Sequence, residues 1–360
     1  MAEDPVNRQI SRDYDECTRL VSKWAPQLPE SIIKNFNTTG RCNTENGCYD
    51  ALIRGYSDRL RVHARDLGLF EQSANLNAIG AGMFCYIGQL LLYGSQFGNW
   101  MNNQPQKGVI NGSLLEDHTF NFVLLYLYVD YFIDSTKVSE TSKKETLDVL
   151  FRLLHDPYEI SPPQGMEGLL AAYKSILQVS PQSKEVLVNL FMVEIETYIT
   201  QKQSDLTRSE YMKAALSKGG STGVAIQSIT GASYKEDCYT IGSILQLIDD
   251  IMDVYEDIED NIHTIATYDL KKYGCLDHLY FKCVDMLDSL SDQFLLFKLM
   301  LMQVVTYTTS MKDRYSRSLR RRMKSYSLIR YMPDSHAMDI CNRRVYNIIV
   351  HDLLKLSRES

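Results

Sequence analysis

Seven of the twelve residues from Asp249 to Asp260 are acidic and none is basic. Asp249, Asp253 and Asp257 fall at i, i+4 and i+8, so a helix would put all three on one face. Like charges at that spacing repel and weaken a helix, so the stripe needs a counter-charge. Hard divalent cations bound through oxygen supply one, and Mg2+ takes a few carboxylates together with the phosphate oxygens of a substrate. Asp130 and Asp134 form a second pair at i,i+4 spacing. The complement is the run from Lys312 to Lys324, with seven basic residues and one acid. A continuous helix would bring Arg314, Arg317 and Arg321 to one face, and the planar guanidinium fork suits phosphate oxygens. Carboxylates that take Mg2+ and arginines that take phosphate together predict a diphosphate substrate. Taken singly, each run also fits an ordinary solvated helix face.

These residues need helices to position them. The segment Ile241-Gly-Ser-Ile-Leu-Gln-Leu-Ile248 is apolar, so the first acidic stripe emerges from a core helix. Asp130 and Asp134 close the strongly apolar and aromatic stretch from Glu116. Helical periodicity predicts helices at 166–180, 183–203 and 208–217, then at 235–260, 276–290 and 292–325. The segment Ser217-Lys-Gly-Gly-Ser-Thr-Gly223 is expected to interrupt a helix. Turn-rich stretches at 35–48, 94–112 and 161–165 read as loops. Alternating strand patterns are scarce, so the expected fold class is all-α. Residues 1–49 are expected to be an N-terminal extension packed on a helical domain over 50–360.

Composition narrows the function. The chain has 360 residues, 38 Lys+Arg and 45 Asp+Glu, for a net charge of −7. An acidic chain is a poor candidate for binding nucleic acid. A hydrophobic share of 44% is enough for a packed core. Eight cysteines without CxxC spacing read as thiols of a reducing compartment rather than a disulfide framework. The N-terminal residues lack the apolar core of a secretory signal, and Ala78 to Gly94 is short for a membrane span and carries Gln89. A cytoplasmic protein with no membrane span is expected.

The motifs resemble those of class I isoprenoid synthases, most closely microbial-type class I terpene synthases. Leu245 to Asp253 is similar to the second aspartate-rich motif of trans-prenyl diphosphate synthases, FQxxDDxxD, with Leu245 in place of Phe. Asp249, Asp253 and Asp257 also have the spacing of the cyclase triad NDxxSxxxE, with Asp at all three ligand positions. Asp130-Tyr-Phe-Ile-Asp134 stands where the first aspartate-rich motif belongs, in a reduced DxxxD form, and Asp313-Arg-Tyr315 resembles the Arg-Tyr element near the C-terminus of the cyclases. Lys213 to Gly223 resembles their broken, diphosphate-sensing helix. The match runs from about residue 80 to 325. Tyr131 stands where chain-elongating synthases carry a second Asp, and Ser135-Thr-Lys-Val-Ser replaces their Arg-Arg-Gly.

The resemblance implies a single large helical bundle of the class I terpenoid synthase fold. It implies ionisation of a linear prenyl diphosphate, fifteen or twenty carbons long, and cyclisation or rearrangement of the cation, with diphosphate released. Three Mg2+ ions are implied, with Mn2+ able to substitute. Asp130 and Asp134 would hold two of them, and Asp249, Asp253 and Asp257 the third. Arg314, Tyr315, Arg317 and a lysine, Lys213 or Lys218, would contact the diphosphate. Asp130, Asp249, Asp253, Arg314 and Tyr315 are the expected catalytic set. Val123, Tyr126, Leu127, Gly219, Gly220, Gly242 and Leu245 are the expected pocket lining, with Phe84, Phe191 and Tyr307 as further candidates. The prenyl diphosphate is the expected partner, and a homodimer is compatible with this class. The alternatives are a prenyltransferase, chain-elongating or head-to-head, and a non-catalytic helical protein of the same fold.

Overall fold

The computed structural model describes residues 121–123, 125, 126, 129, 140–157, 167–230, 234–291, 294, 298, 301, 305, 308 and 313–326. The described residues are helical and include no strand, which is the all-α class expected. Among the described residues, eight helices have defined bounds, here in chain order. These are α1 (Glu140–His155), α2 (Glu167–Val179), α3 (Ser183–Gln201), α4 (Arg208–Thr230), α5 (Lys235–Glu259), α6 (Ile265–Tyr273), α7 (Asp277–Ser289) and α8 (Arg317–Tyr326). The 1–49 extension, the Ala78–Gly94 stretch and the expected site residues Asp130, Asp134, Leu127, Phe84 and Tyr307 lie outside the described residues. Among the described residues, no helix is long and apolar enough to cross a membrane.

Helix α5 is the spine. Its acidic first turn, Glu236 and Asp237, suits the positive end of a helix dipole. Cys238, Ile241, Ile244, Leu247, Ile248, Ile251 and Val254 recur three or four residues apart and are buried on one stripe. Tyr211, Ala215 and Ala225 of α4 and Tyr280, Cys283 and Leu287 of α7 belong to the same core, and Leu187, Leu190 and Phe191 of α3 extend it from the far side of α4. Burial holds the thiols of Cys238 and Cys283 protonated, pushing both up to about 12. Neither they nor Cys275 form a disulfide.

The expected break at 217–223 does not occur, because α4 runs unbroken through Gly219, Gly220 and Gly223. The glycines serve the crossing of α4 over α5. A Cβ at Gly219 would overlap the carbonyl of Gly242, and one at Gly242 would overlap the carbonyl of Gly219. A Cβ at Gly223 would meet the carbonyl of Cys238, and one at Gly220 the ring of Tyr239. With no side chains between them, the two backbones approach closely, and Ser243 Oγ donates to the carbonyl of Leu216 at 2.8 Å. Tertiary contact here overrides the low helix propensity of glycine.

The long helix expected over 292–325 is likewise divided. Residues 313–316 form a turn, and α8 begins at Arg317. The backbone groups of the turn bond to the start of α7. Leu276 N–H donates to the carbonyl of Arg314 at 2.8 Å, and Ser316 N–H donates to Asp277 Oδ1 at 2.9 Å. Ser316 Oγ accepts from Leu319 N–H, an N-cap for α8. Arg314 therefore lies outside the helix that carries Arg317 and Arg321, and the three do not share one helical face.

Candidate functional site

Helix α5 leaves the core at its C-terminal half, where its carboxylates begin. The register that buries Leu247, Ile251 and Val254 also turns Asp250 inward, leaving it 5% exposed. Asp249 and Asp253 face solvent, and Asp257 is half-buried. Gln246 Nε2 donates to Asp250 Oδ1 at 3.0 Å and lies 3.3 Å from Asp249 Oδ2. Thr264, the N-cap of α6, donates its hydroxyl to Asp257 Oδ2 at 3.2 Å.

Burial pushes Asp250 up to about 7, with Asp249 and Asp257 adding to the rise while Gln246 and Lys218 oppose it. Desolvation also pushes Asp257 up to about 7; Asp253, Asp249 and Glu256 reinforce it, and the Thr264 hydrogen bond opposes it. Asp253 is raised too, first because protein crowds one side of it and then by Glu256; Arg314 works against the rise. Burial is the first cause in all three, and repulsion within the row adds to it.

A small cavity of about 10 Å³ lies behind Asp250, room for about one water molecule. Its polar walls include Thr197 of α3, Lys218 of α4, Gln246 and Asp250 of α5, and His263 and Thr264 ahead of α6. Lys218 Nζ lies 3.4 Å from Glu194 Oε2, a carboxylate of α3 that is only 6% exposed. Lys218, partly buried, therefore pairs with Glu194 and lines the same cavity as Asp250. Lys213, the other lysine considered, is exposed on α4.

Arg314 reaches α5 from the other side. Its guanidinium stacks over the ring of Tyr255, 5.3 Å from Cζ to the ring centroid, and Nη2 donates to the carbonyl of Met252. Its Nε–H is buried and has no acceptor among the described residues. Tyr315 is a core residue, 4% exposed, with its ring edge-on to Tyr280 and its hydroxyl 2.7 Å from Thr308 Oγ1. Burial raises its phenol well above the usual range. Arg317 is exposed in the first turn of α8.

Of the expected site residues, the structure gathers Asp249, Asp253, Asp257, Lys218 and Arg314 around the C-terminal half of α5. Gly219, Gly220 and Gly242 lie in the α4–α5 crossing, and Val123, Tyr126 and Phe191 are in the core, with Leu245 packed against it. The sequence motif contains Gln246 and Asp250 without assigning either a role, and Glu194, His263 and Thr264 were passed over. Asp250 was findable: it is three residues after Leu247 and four before Val254, on the buried stripe. Glu194 was findable in the same way: it is three residues after Phe191 and four after Leu190, on the buried stripe of α3.

The donor set is chemically suited to a hard cation, being acid-rich, oxygen-only and raised in proton affinity. Among the described residues, however, no three His, Cys, Asp or Glu side chains are gathered into a metal site. No family model matches the sequence, and no curated protein or solved structure does so.

Proposed function

We propose that this chain is a class I terpene synthase, ionising a linear prenyl diphosphate and cyclising or rearranging the resulting carbocation. The bundle fold of that class and an all-helical domain over 50–360 are part of the same proposal. One observation carries it. Arg314, from the basic run, meets α5 beside the acidic run, 62 residues away in sequence from its partner Met252. The unpartnered Nε–H supports an anionic ligand there, since a buried donor left unmade costs about 1–3 kcal/mol.

Asp249, Asp253 and Asp257, with Asp250 behind them, would hold Mg2+; Asp130 and Asp134 complete the proposed set. The metal, when bound, supplies Lewis-acid stabilisation of charge on the leaving diphosphate. The chain's own residues do the rest. Arg314 donates to the diphosphate from a side chain already fixed by Tyr255 and Met252. Lys218 offsets negative charge from inside the bundle. The apolar faces of α4, α5 and α7 keep water from the reaction.

The test is product analysis with ten-, fifteen- and twenty-carbon prenyl diphosphates in Mg2+, with and without isopentenyl diphosphate. A hydrocarbon or alcohol from one diphosphate alone is expected. Longer diphosphates, made only with the second substrate, would instead identify a prenyltransferase. Asp253→Ala should abolish turnover while helicity persists; full activity of that variant would remove the metal assignment.

A further inference from the structure

We propose that Tyr255 is a positioning residue that holds Arg314 against the acidic half of α5, a role that rests on the diphosphate reading of the site. Tyr255 is 39% exposed on α5, yet it is engaged twice. Its ring lies under the Arg314 guanidinium, and its hydroxyl donates to the carbonyl of Asp313 at 2.9 Å. The carbonyl that receives Arg314 Nη2 belongs to Met252, three residues earlier and so on the same side of the helix. One turn of α5 therefore fixes the face of the guanidinium, one of its edges, and the backbone just before it.

The geometry has a consequence for binding. A long arginine side chain loses rotamer freedom when it is ordered. A side chain ordered in advance loses less on meeting an anion. The latch leaves the Nε–H buried, with no acceptor among the described residues. The start of α7 secures the other end, through Leu276 and Asp277, and Tyr315 anchors the turn in the core. Tyr255 is the part of this device that can be removed from the surface of a helix.

Calorimetric titration of the full chain with inorganic pyrophosphate in Mg2+ tests the role. Tyr255→Leu should weaken binding roughly twofold to thirtyfold, the range of a cation–π contact, and Tyr255→Phe by less. In an Arg314→Ala background, Tyr255→Leu should add nothing, because the two residues act through one group. Equal affinity of Tyr255→Leu and wild type, or the same loss with Arg314 removed, would overturn the assignment. Nuclear magnetic resonance of isotope-labelled arginine gives a ligand-independent readout. The Arg314 Nε–H resonance, identified by its disappearance in Arg314→Ala, should stay resolved in Tyr255→Phe and merge with exposed arginines in Tyr255→Leu. If wild type does not bind pyrophosphate but the resonance behaves this way, the diphosphate reading falls and the latch stands. An unchanged resonance in Tyr255→Leu sinks the latch whatever binds.

Discussion

Replacing Asp250 by Asn should make the metal-free protein more stable at alkaline pH and not at acid pH. Asp250 is 5% exposed, and its carboxyl is displaced from the ordinary 3.8 to about 7. The sign follows from proton binding. Between about pH 4 and 7 the folded chain keeps a proton on Asp250 that the unfolded chain has released, so stability falls as pH rises through that window. Above about 7 the loss is complete, and a displacement of that size corresponds to about 4 kcal/mol. Asn keeps the oxygen that accepts from Gln246 and removes the charge. Its amide also brings a donor that costs about 1–3 kcal/mol if it finds no partner. That cost is the same at every pH, so it cancels when the variant's advantage at pH 8 is compared with that at pH 4. The expected swing is about 4 kcal/mol, read from urea denaturation of both proteins in chelator at the two pH values. A variant whose stability relative to wild type is the same at pH 4 and pH 8 would refute the burial argument for Asp250.

Mg2+ should raise the melting temperature of wild type near pH 8, by the mass action of a ligand that binds only the folded state, and Asp257→Asn should diminish the rise. An identical rise in both would remove Asp257 from the cation site. Gly242→Ala should lower stability by about 1–3 kcal/mol, although alanine is the better helix former, because its methyl group would overlap the Gly219 carbonyl. Thermal unfolding that is unchanged or improved would contradict the close crossing. Arg208 makes a two-pronged pair with Asp269, at 2.7 and 2.8 Å, tying the start of α4 to α6. Asp269 is fully buried and Arg208 one-third exposed, so Arg208→Ala, which strands the buried charge, should cost about 3–5 kcal/mol in denaturant titration. Asp269→Ala should cost less, because the arginine can turn to water; the reverse order would show that the burial asymmetry does not govern the pair.

Helix class and many helix boundaries were legible in the chain. Periodicity placed α2, α3, α5 and α7 within a few residues of their limits, because an apolar stripe every three or four residues has one low-energy use in water. Two elements were misread for opposite reasons. The glycines of α4 look like a break when only propensity is considered, but they are the surface on which α5 rests. The turn at 313–316 looks like continuous helix, but its backbone hydrogen bonds go to Leu276 and Asp277, about forty residues earlier. Neither outcome is encoded in the local segment, since each depends on a partner distant in sequence.

The same division runs through the site. Seven carboxylates crowded on one stretch of helix, and an arginine-rich run after it, are plain from residue order alone. Like charges at helical spacing require compensation wherever the helix lies. Which of those charges are buried, the pairing of Lys218 with Glu194 beside Asp250, and the stacking of Arg314 on Tyr255 of α5 all arise from the packing of helices distant in sequence. Composition and spacing set how much charge a segment carries. Desolvation and counter-charge come from neighbours far along the chain, and they set what each charge can do.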